Sequence, residues 1–248
     1  MLNFVINALK NIKSIPWFFS DYFKINKELK GNKDFKITKI FPILSDKKQL
    51  SGSFSMMYFN QDLFVAKRIY HNNPKNHVDI WSRVDWFVAH VASYRDIEVF
   101  DIRPSIDDMQ NIKFVQADLM KLPHWLENYT DSISSLSVIE HFWLGRYGDP
   151  IDVNWHIKGL NSIYKILKKW WKFYFSAPIW PQRIEFNAHR IFDISYLIGL
   201  FENKYSIDMF SYLDDKDKLH ENITLSEKNI KDNFWCNFGC GIFELTKI

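Results

Sequence analysis

Four acidic residues stand where short apolar runs give out, and their spacing is the first hint of chemistry. Asp79 lies in HVDI, Asp101 in IEVFDIRP, Asp118 in IKFVQADLM and Glu140 in SVIEHF, with His141 directly after it. In an open α/β sheet, ligands bind outside the carboxyl ends of the strands, so these are the positions at which a bound small molecule would be held. An acid after the second strand commonly takes the two hydroxyls of a ribose, and an acid after the third is placed to reach an adenine amino group. Any one of them alone reads as a turn or helix cap; three at successive strand ends form a set. His141 titrates near neutral pH and is a natural general base, and His189 in NAHR is a second candidate. Arg146, Asp149 and Asn187 are polar groups on expected loops, where binding residues concentrate. Arg183 and Arg190 carry the fork that clamps a phosphate or carboxylate.

The elements that must position these residues alternate in type. From His77 onward, HVDI, IEVFDI, IKFVQAD, DSISSLSVIEH and WKFYFSAP read as strands. Helices are expected over Val84 to Tyr94, Ile151 to Leu167 and Phe192 to Phe201. YSIDMFSYL and CGIFELTKI read as two last strands separated by a charged excursion, Asp214 to Asn233, without a helix between them. That pattern predicts an α/β fold with a mostly parallel sheet and a C-terminal antiparallel hairpin at its edge. Residues 76–248 are expected to form this domain and residues 1–75 a helical extension. Within the extension, Met1 to Phe23 has an apolar face (Leu2, Phe4, Val5, Ala8, Leu9, Ile12) that fits either a membrane surface or its own domain. A lysine-rich stretch follows from Lys24 to Lys39, then an extended KITKIFPILSD, then a helix near Tyr58 to Tyr70.

A length of 248 residues, with 47% hydrophobic and 25% charged, is ordinary for a globular chain and argues against disorder or a disulfide-stapled miniprotein. The net charge of +3 is too weak and too scattered to imply nucleic acid. Cys236 and Cys240 supply two ligands where a structural zinc needs four, so no metal is expected and both read as free thiols in a reducing compartment. No apolar run is long enough to span a bilayer. A cytoplasmic protein, peripheral at most to the inner face of the membrane through residues 1–23, is the expectation.

The strand ladder, terminal hairpin and acids resemble class I S-adenosylmethionine (SAM)-dependent methyltransferases, with their Rossmann-like seven-stranded sheet. More narrowly, HVDIWSRVDWFVAHVASYRDIEVFDIRP, SVIEHFWLGRYGDPID, FYFSAP, FNAHRIF and GCGIFELTK resemble the DUF268 family of methyltransferase-like proteins, over roughly Phe59 to the end. The resemblance implies SAM as cofactor. Asp79, Trp81 and Ser82 would form the first loop, Asp101 would hold the ribose, and Asp118 the adenine with Leu119 beside it. Glu140, His141 and His189 would lie on the reactive side. The acceptor implied is a small molecule or glycan, met by Arg146, Asp149, Asn187 and Arg190. The first loop departs from the usual G-x-G-x-G, having Ser82, Arg83 and Asp85 in that spacing. This keeps open a second reading, a non-catalytic SAM- or nucleotide-binding module of a surface-glycan assembly system.

Ten tryptophans outnumber eight glycines, where about 17 glycines are usual at this length. Against the family pattern, tryptophan stands where glycine is expected at Trp81, Trp86, Trp143, Trp155, Trp170, Trp171, Trp180 and Trp235; the pattern does not decide Trp17 and Trp125. Turns between strands and helices often need a left-handed backbone that a bulky side chain resists. A gene in which UGA encodes glycine, read in a code that assigns UGA to tryptophan, would give this pattern. Trp81 would then stand in the ligand loop in place of a glycine.

Overall fold

The computed structural model describes residues 2–31, 34–44, 57–82, 86–104, 109–142, 144–145 and 151–248, with side chains from residue 15 onward. The chain divides into two units, 1–54 and 55–248. The first holds helix α1 (Leu2–Glu28), with Pro16 inside it, and Gly31 at φ +88 shortly after its end. Residues 34–44 carry no regular structure. Among the described residues, no helix is long and apolar enough to cross a membrane.

The second unit begins with α2 (Met57–Asn72), then β1 (Val78–Ile80), α3 (Trp86–Ala92), β2 (Ile97–Asp101), β3 (Ile112–Gln116), β4 (Thr130–Leu136), α4 (Trp155–Ile166) and β5 (Leu167–Ile179). It continues with β6 (Arg183–Glu185), β7 (His189–Ile191), α5 (Ile194–Phe201), β8 (Tyr205–Leu213), β9 (Leu219–His220), α6 (Glu227–Lys231) and β10 (Gly239–Lys247). The main sheet runs β3-β2-β1-β4-β5-β10-β8-β9, and β6 and β7 form a separate hairpin. β1 to β5 are parallel, while β10 is antiparallel to both β5 and β8. This is the expected mostly parallel sheet, with three differences: it has eight strands and not seven, β9 and α6 lie between the last two long strands where no helix was expected, and the strand order at the antiparallel edge is changed. The last strand is not outermost but is inserted between β5 and β8.

Side-chain alternation along the central strands builds a core on each face. Phe173, Phe175, Phe243 and Leu245 face α4 and α5 with Ile163, Ile166 and Leu197. Tyr174, Cys240 and Ile242 face α2 and α3 with Phe64, Ile69, Phe87 and Val91. The expected boundary at residue 75 therefore moves to residue 54. α2 belongs to the α/β unit because its underside is buried and bonded to the sheet. Asn72 Nδ2 donates to Tyr174 OH (2.6 Å) and to Glu244 Oε1 (2.8 Å), and Arg68 Nε pairs with Glu244 Oε2 at 2.8 Å.

Among the described residues, three tryptophans have left-handed backbones, Trp81 (φ 61), Trp170 (φ 71) and Trp235 (φ 61). Trp170 lies where Thr130 pairs with Leu167 but Ser132 already pairs with Lys172, so β5 bulges over residues 168–171. Trp155 behaves oppositely, with a buried side chain in the larger core. Trp143 lies outside the described residues. Left-handed backbone costs a non-glycine residue about 1–2 kcal/mol. The Trp170 indole is 67% exposed, and a Lys169 ammonium 4.7 Å from its ring is its recorded ring contact. Trp170→Gly is expected to gain about 1 kcal/mol in urea unfolding, after the entropy glycine adds to the unfolded chain. A loss of stability would show that the indole itself supports the bulge.

Candidate functional site

The carboxyl edge of the parallel strands gathers most of the expected residues. Asp79 is fully buried on β1. Its Oδ1 accepts from Ser134 Oγ on β4 (2.6 Å) and its Oδ2 from the Ser82 amide (3.0 Å), which ties the first loop to the strand that follows in the sheet. Burial pushes this carboxyl up to about 6, against the opposing pull of the two serines. With Asp79 ionised, Ser134 gives its one proton to it. His77 Nε2, 3.1 Å from Ser134 Oγ, must then donate, and His77 Nδ1 accepts from Ser132 Oγ at 2.7 Å. Burial holds that ring neutral, lowering it to about 3.

Trp81 follows β1 at once. Its amide donates to Phe100 O (2.9 Å), its ring sits 4.5 Å from that of Phe142, and its indole Nε1 is buried without a hydrogen-bond partner. Arg83 and Asp85 lie outside the described residues, as do the expected substrate contacts Arg146 and Asp149.

Asp101 ends β2, buried, and carries a guest. Arg103 donates to it from its amide (2.8 Å) and Nε (3.0 Å), and its Nη2 closes an ion pair. The Arg103 side chain is 58% exposed, so it can leave without crossing the core. Asp118 caps the short turn Leu119–Lys121 by accepting the Met120 amide at 2.9 Å, the commonplace role of an acid at such a place. Leu119 is buried in the larger core and backs the site from behind.

Glu140 and His141 occupy a short helical turn, Ile139–His141, after β4. The His141 Nδ1–H donates to Ala188 O (2.8 Å), since a carbonyl only accepts, and this puts the ring's lone pair on Nε2, 3.8 Å from Glu140 Oε1. Glu140 is 1% exposed and its Oε2 has no hydrogen-bond partner. The β6–β7 hairpin brings His189 over this turn, its ring 6.0 Å from that of His141, with Nε2 3.3 Å from Glu185 Oε2. Asn187 is exposed at the hairpin's tip.

Two arginines do not face an incoming anion as the sequence reading has them. Arg190 is buried, and its guanidinium donates to the carbonyls of Phe142 (2.6 Å), Asp152 (3.2 Å) and Val153 (3.2 Å), with Glu140 O at 3.5 Å. It is a brace. Arg183 pairs with Glu185 at 2.7 Å. A group the sequence did not single out, Gln61 of α2, accepts at Oε1 from Ser137 Oγ (2.9 Å), Ser176 Oγ (2.7 Å) and Cys240 Sγ (3.3 Å) beneath the site. The only signal for it was an amide on the otherwise apolar side of a predicted helix. Cys236 and Cys240 are both buried free thiols, raised by burial, and among the described residues no cluster could hold a metal. An open cleft of about 380 Å³ among Met57, Asp215, Asp217, Asn237 and Phe238 adjoins His189, whose ring is 5.8 Å from that of Phe238.

A family model described as "Caenorhabditis protein of unknown function, DUF268" matches residues 88–236. No curated protein matches in sequence. Among solved structures, the chain is similar to the N-methyltransferase NodS from Bradyrhizobium japonicum WM9 in complex with S-adenosyl-L-homocysteine (10% identity, 77% of this chain and 87% of that one, TM-score 0.50). It is similar to the 1,6-didemethyltoxoflavin-N1-methyltransferase of Burkholderia thailandensis (14%, 75% and 78%, TM-score 0.52) and to the [4+2]-cyclase SpnF (9%, 79% and 85%, TM-score 0.52). These likenesses establish the class I methyltransferase fold.

Burial pushes the Glu140 carboxyl up to about 8 from the usual 4.5. The native state therefore keeps a proton that the unfolded chain has released. The stability this group lends is fully present below its unfolded value and is lost as pH rises toward its native value. Glu140→Gln stays neutral throughout, so it should raise the melting temperature relative to the parent at pH 8 and not at pH 4.5. Equal shifts at both would mean that Glu140 is not held protonated.

Proposed function

The chain belongs to the DUF268 family, and we propose that it is a SAM-dependent methyltransferase acting on a small-molecule or glycan acceptor. The observation that carries this reading is the class I sheet order with Asp79, Asp101 and Asp118 at three successive carboxyl ends and Glu140-His141 at the fourth. The donor set fits the cofactor. Asp101 is a buried carboxylate at the end of β2, where it would meet the ribose, and its present partner, Arg103, has an exposed side chain. Asp118 keeps an oxygen beyond the one its cap uses.

Bound SAM would supply a methyl group on a sulfonium, transferred by in-line displacement, a step governed mostly by positioning. The chain's own residues do the rest. Asp79 and Ser82 fix the first loop, and Asp101 orients the ribose in exchange for Arg103. Where the acceptor is a hydroxyl, His141 takes its proton at Nε2 while the Ala188 carbonyl holds Nδ1–H. Glu140, neutral at pH 7 by burial, lies 3.8 Å from that nitrogen. His189 and the exposed Asn187 would meet the acceptor; Arg146 and Asp149 are proposed as further contacts from the sequence alone and lie outside the described residues.

The indole of Trp81 occupies the turn that must open for a cofactor. We read Trp81, Trp170 and Trp235, whose backbones are left-handed, as glycine in the protein made by the cell; the family pattern alone extends this to the other five positions, of which Trp155 is packed in the core. Tandem mass spectra of the natural protein should show glycine at 81, 170 and 235, and UGG codons at these positions would sink the idea. A second reading, a binding module without transfer, draws support from the Arg103–Asp101 ion pair and from a cyclase sharing the fold.

Calorimetry on a chain with glycine at 81 separates these from an empty fold. SAM should bind, Asp101→Ala should abolish binding, and Arg103→Ala should tighten it by removing a competitor for the same carboxylate. Unchanged affinity in Asp101→Ala refutes the ribose role. His141→Ala should keep SAM binding and lower methyl transfer to a hydroxyl acceptor about 10²–10⁴-fold; SAM binding with no transfer by the parent chain favours the binding module.

A further inference from the structure

Residues 1–44 hold eight lysines and three acids, a net charge of +5, although the whole chain is only +3. All of the net positive charge therefore sits in the N-terminal unit, and the rest of the chain is slightly acidic. Not one described residue from 15 to 44 is buried. This stretch exposes Ile15, Phe19, Phe23, Ile25, Phe35 (74%) and Phe41 (72%), with Ile37, Ile40 and Ile43 between them.

The order is regular. Along α1 and the turn that continues it, Ile15, Phe18, Tyr22, Ile25 and Leu29 recur at intervals of three and four, and Phe19 and Phe23 flank them, so they share one broad face. Ser20, Asp21, Lys24, Lys27 and Glu28 lie opposite, interrupted by Trp17. Past Gly31 the pattern becomes Phe35-Lys36-Ile37 and Lys39-Ile40-Phe41, with bulky apolar and cationic groups in immediate succession. A soluble partner surface would have to supply both a large apolar groove and dispersed negative charge along an extended segment. An anionic bilayer surface supplies both everywhere: acyl chains for the aromatic and aliphatic groups, and headgroups for lysines that bury their stems and keep their ammonium groups in water.

We propose that residues 15–43 are an interfacial anchor that lies on anionic membrane surfaces, α1 by its Ile15–Phe19–Tyr22–Phe23–Leu29 face and the following segment by Phe35 and Phe41. This goes beyond the methyltransferase reading and does not rest on it. It also shifts the contact from residues 1–23, as the sequence alone suggested, toward the exposed aromatics and lysines further along.

The test is co-sedimentation of the full chain with phosphatidylglycerol–phosphatidylcholine vesicles, against vesicles of phosphatidylcholine alone. Partition should favour the anionic vesicles, fall as salt rises and drop about fivefold for each of Lys24→Ala, Lys27→Ala and Lys30→Ala. Phe19→Ser with Phe23→Ser should remove binding. These side chains are 47% and 65% exposed, so thermal unfolding should not change. Equal partition onto both vesicles, no partition, or partition indifferent to these substitutions overturns the proposal. So does self-association in solution that the same phenylalanine changes abolish, since the face would then be covered by a second copy.

Discussion

A single buried guanidinium decides where the working edge of this domain lies. Arg190 gathers the carbonyls of Phe142, Asp152 and Val153 and reaches toward that of Glu140. Each of those oxygens belongs to backbone that has left β4 and not yet entered α4, where the regular ladders supply no donors; the Asp152 carbonyl also accepts from the Trp155 amide at 3.3 Å. One side chain on a short hairpin thus ties two ends of a long connection together. Because His189 is the residue next to it and Ala188 accepts from His141, the same hairpin sets both imidazoles. Loss of the brace would release the turn that carries Glu140 and His141, not merely one hydrogen bond.

Beneath this edge the packing is polar where an α/β layer is ordinarily greasy. Gln61, Asn72 and Arg68 on α2 meet Ser137, Ser176, Tyr174 and Glu244 on the sheet. Buried groups of this kind are costly unless satisfied, and here their partners fix one register for α2 across β4, β5 and β10. Greasy packing tolerates sliding; a three-way acceptor such as Gln61 Oε1 does not. The platform behind the first loop is therefore directional, which suits a site whose chemistry is mainly positioning.

Much of this was legible in the residues. Short apolar runs ending in acids gave the strands and their order of use, since a strand buried on both faces reads as a continuous apolar stretch, and YSIDMFSYL coincides with β8. What escaped depends on neighbours distant in sequence. Gln61 lies on the side of α2 that carries Val65 and Ile69, and only the serines and thiol across from it, distant in sequence, show what its amide bonds. Arg190 reads as an anion clamp because an arginine's partners cannot be seen from its own segment. Arg103, two residues from Asp101, was the nearer miss, since a local ion pair at that spacing needs no tertiary information. Trp155, expected at a glycine site, is a packed core side chain, whereas the left-handed backbones at Trp81, Trp170 and Trp235 keep the conformation a glycine would choose.

The insertion of β10 between β5 and β8 has a consequence for how the molecule comes into being. Until residue 247 has been synthesised, β5 has no neighbour on its far side and β8 no strand to join it to the sheet. Two open edges, each able to pair with another chain, must wait on the ribosome while the rest of the domain, residues 55 to 238, hangs mostly finished beside them. The strand that completes the sheet is also the one that fills both cores, through Phe243 and Leu245 on one face and Cys240 and Ile242 on the other. Closure and consolidation are thereby a single late event.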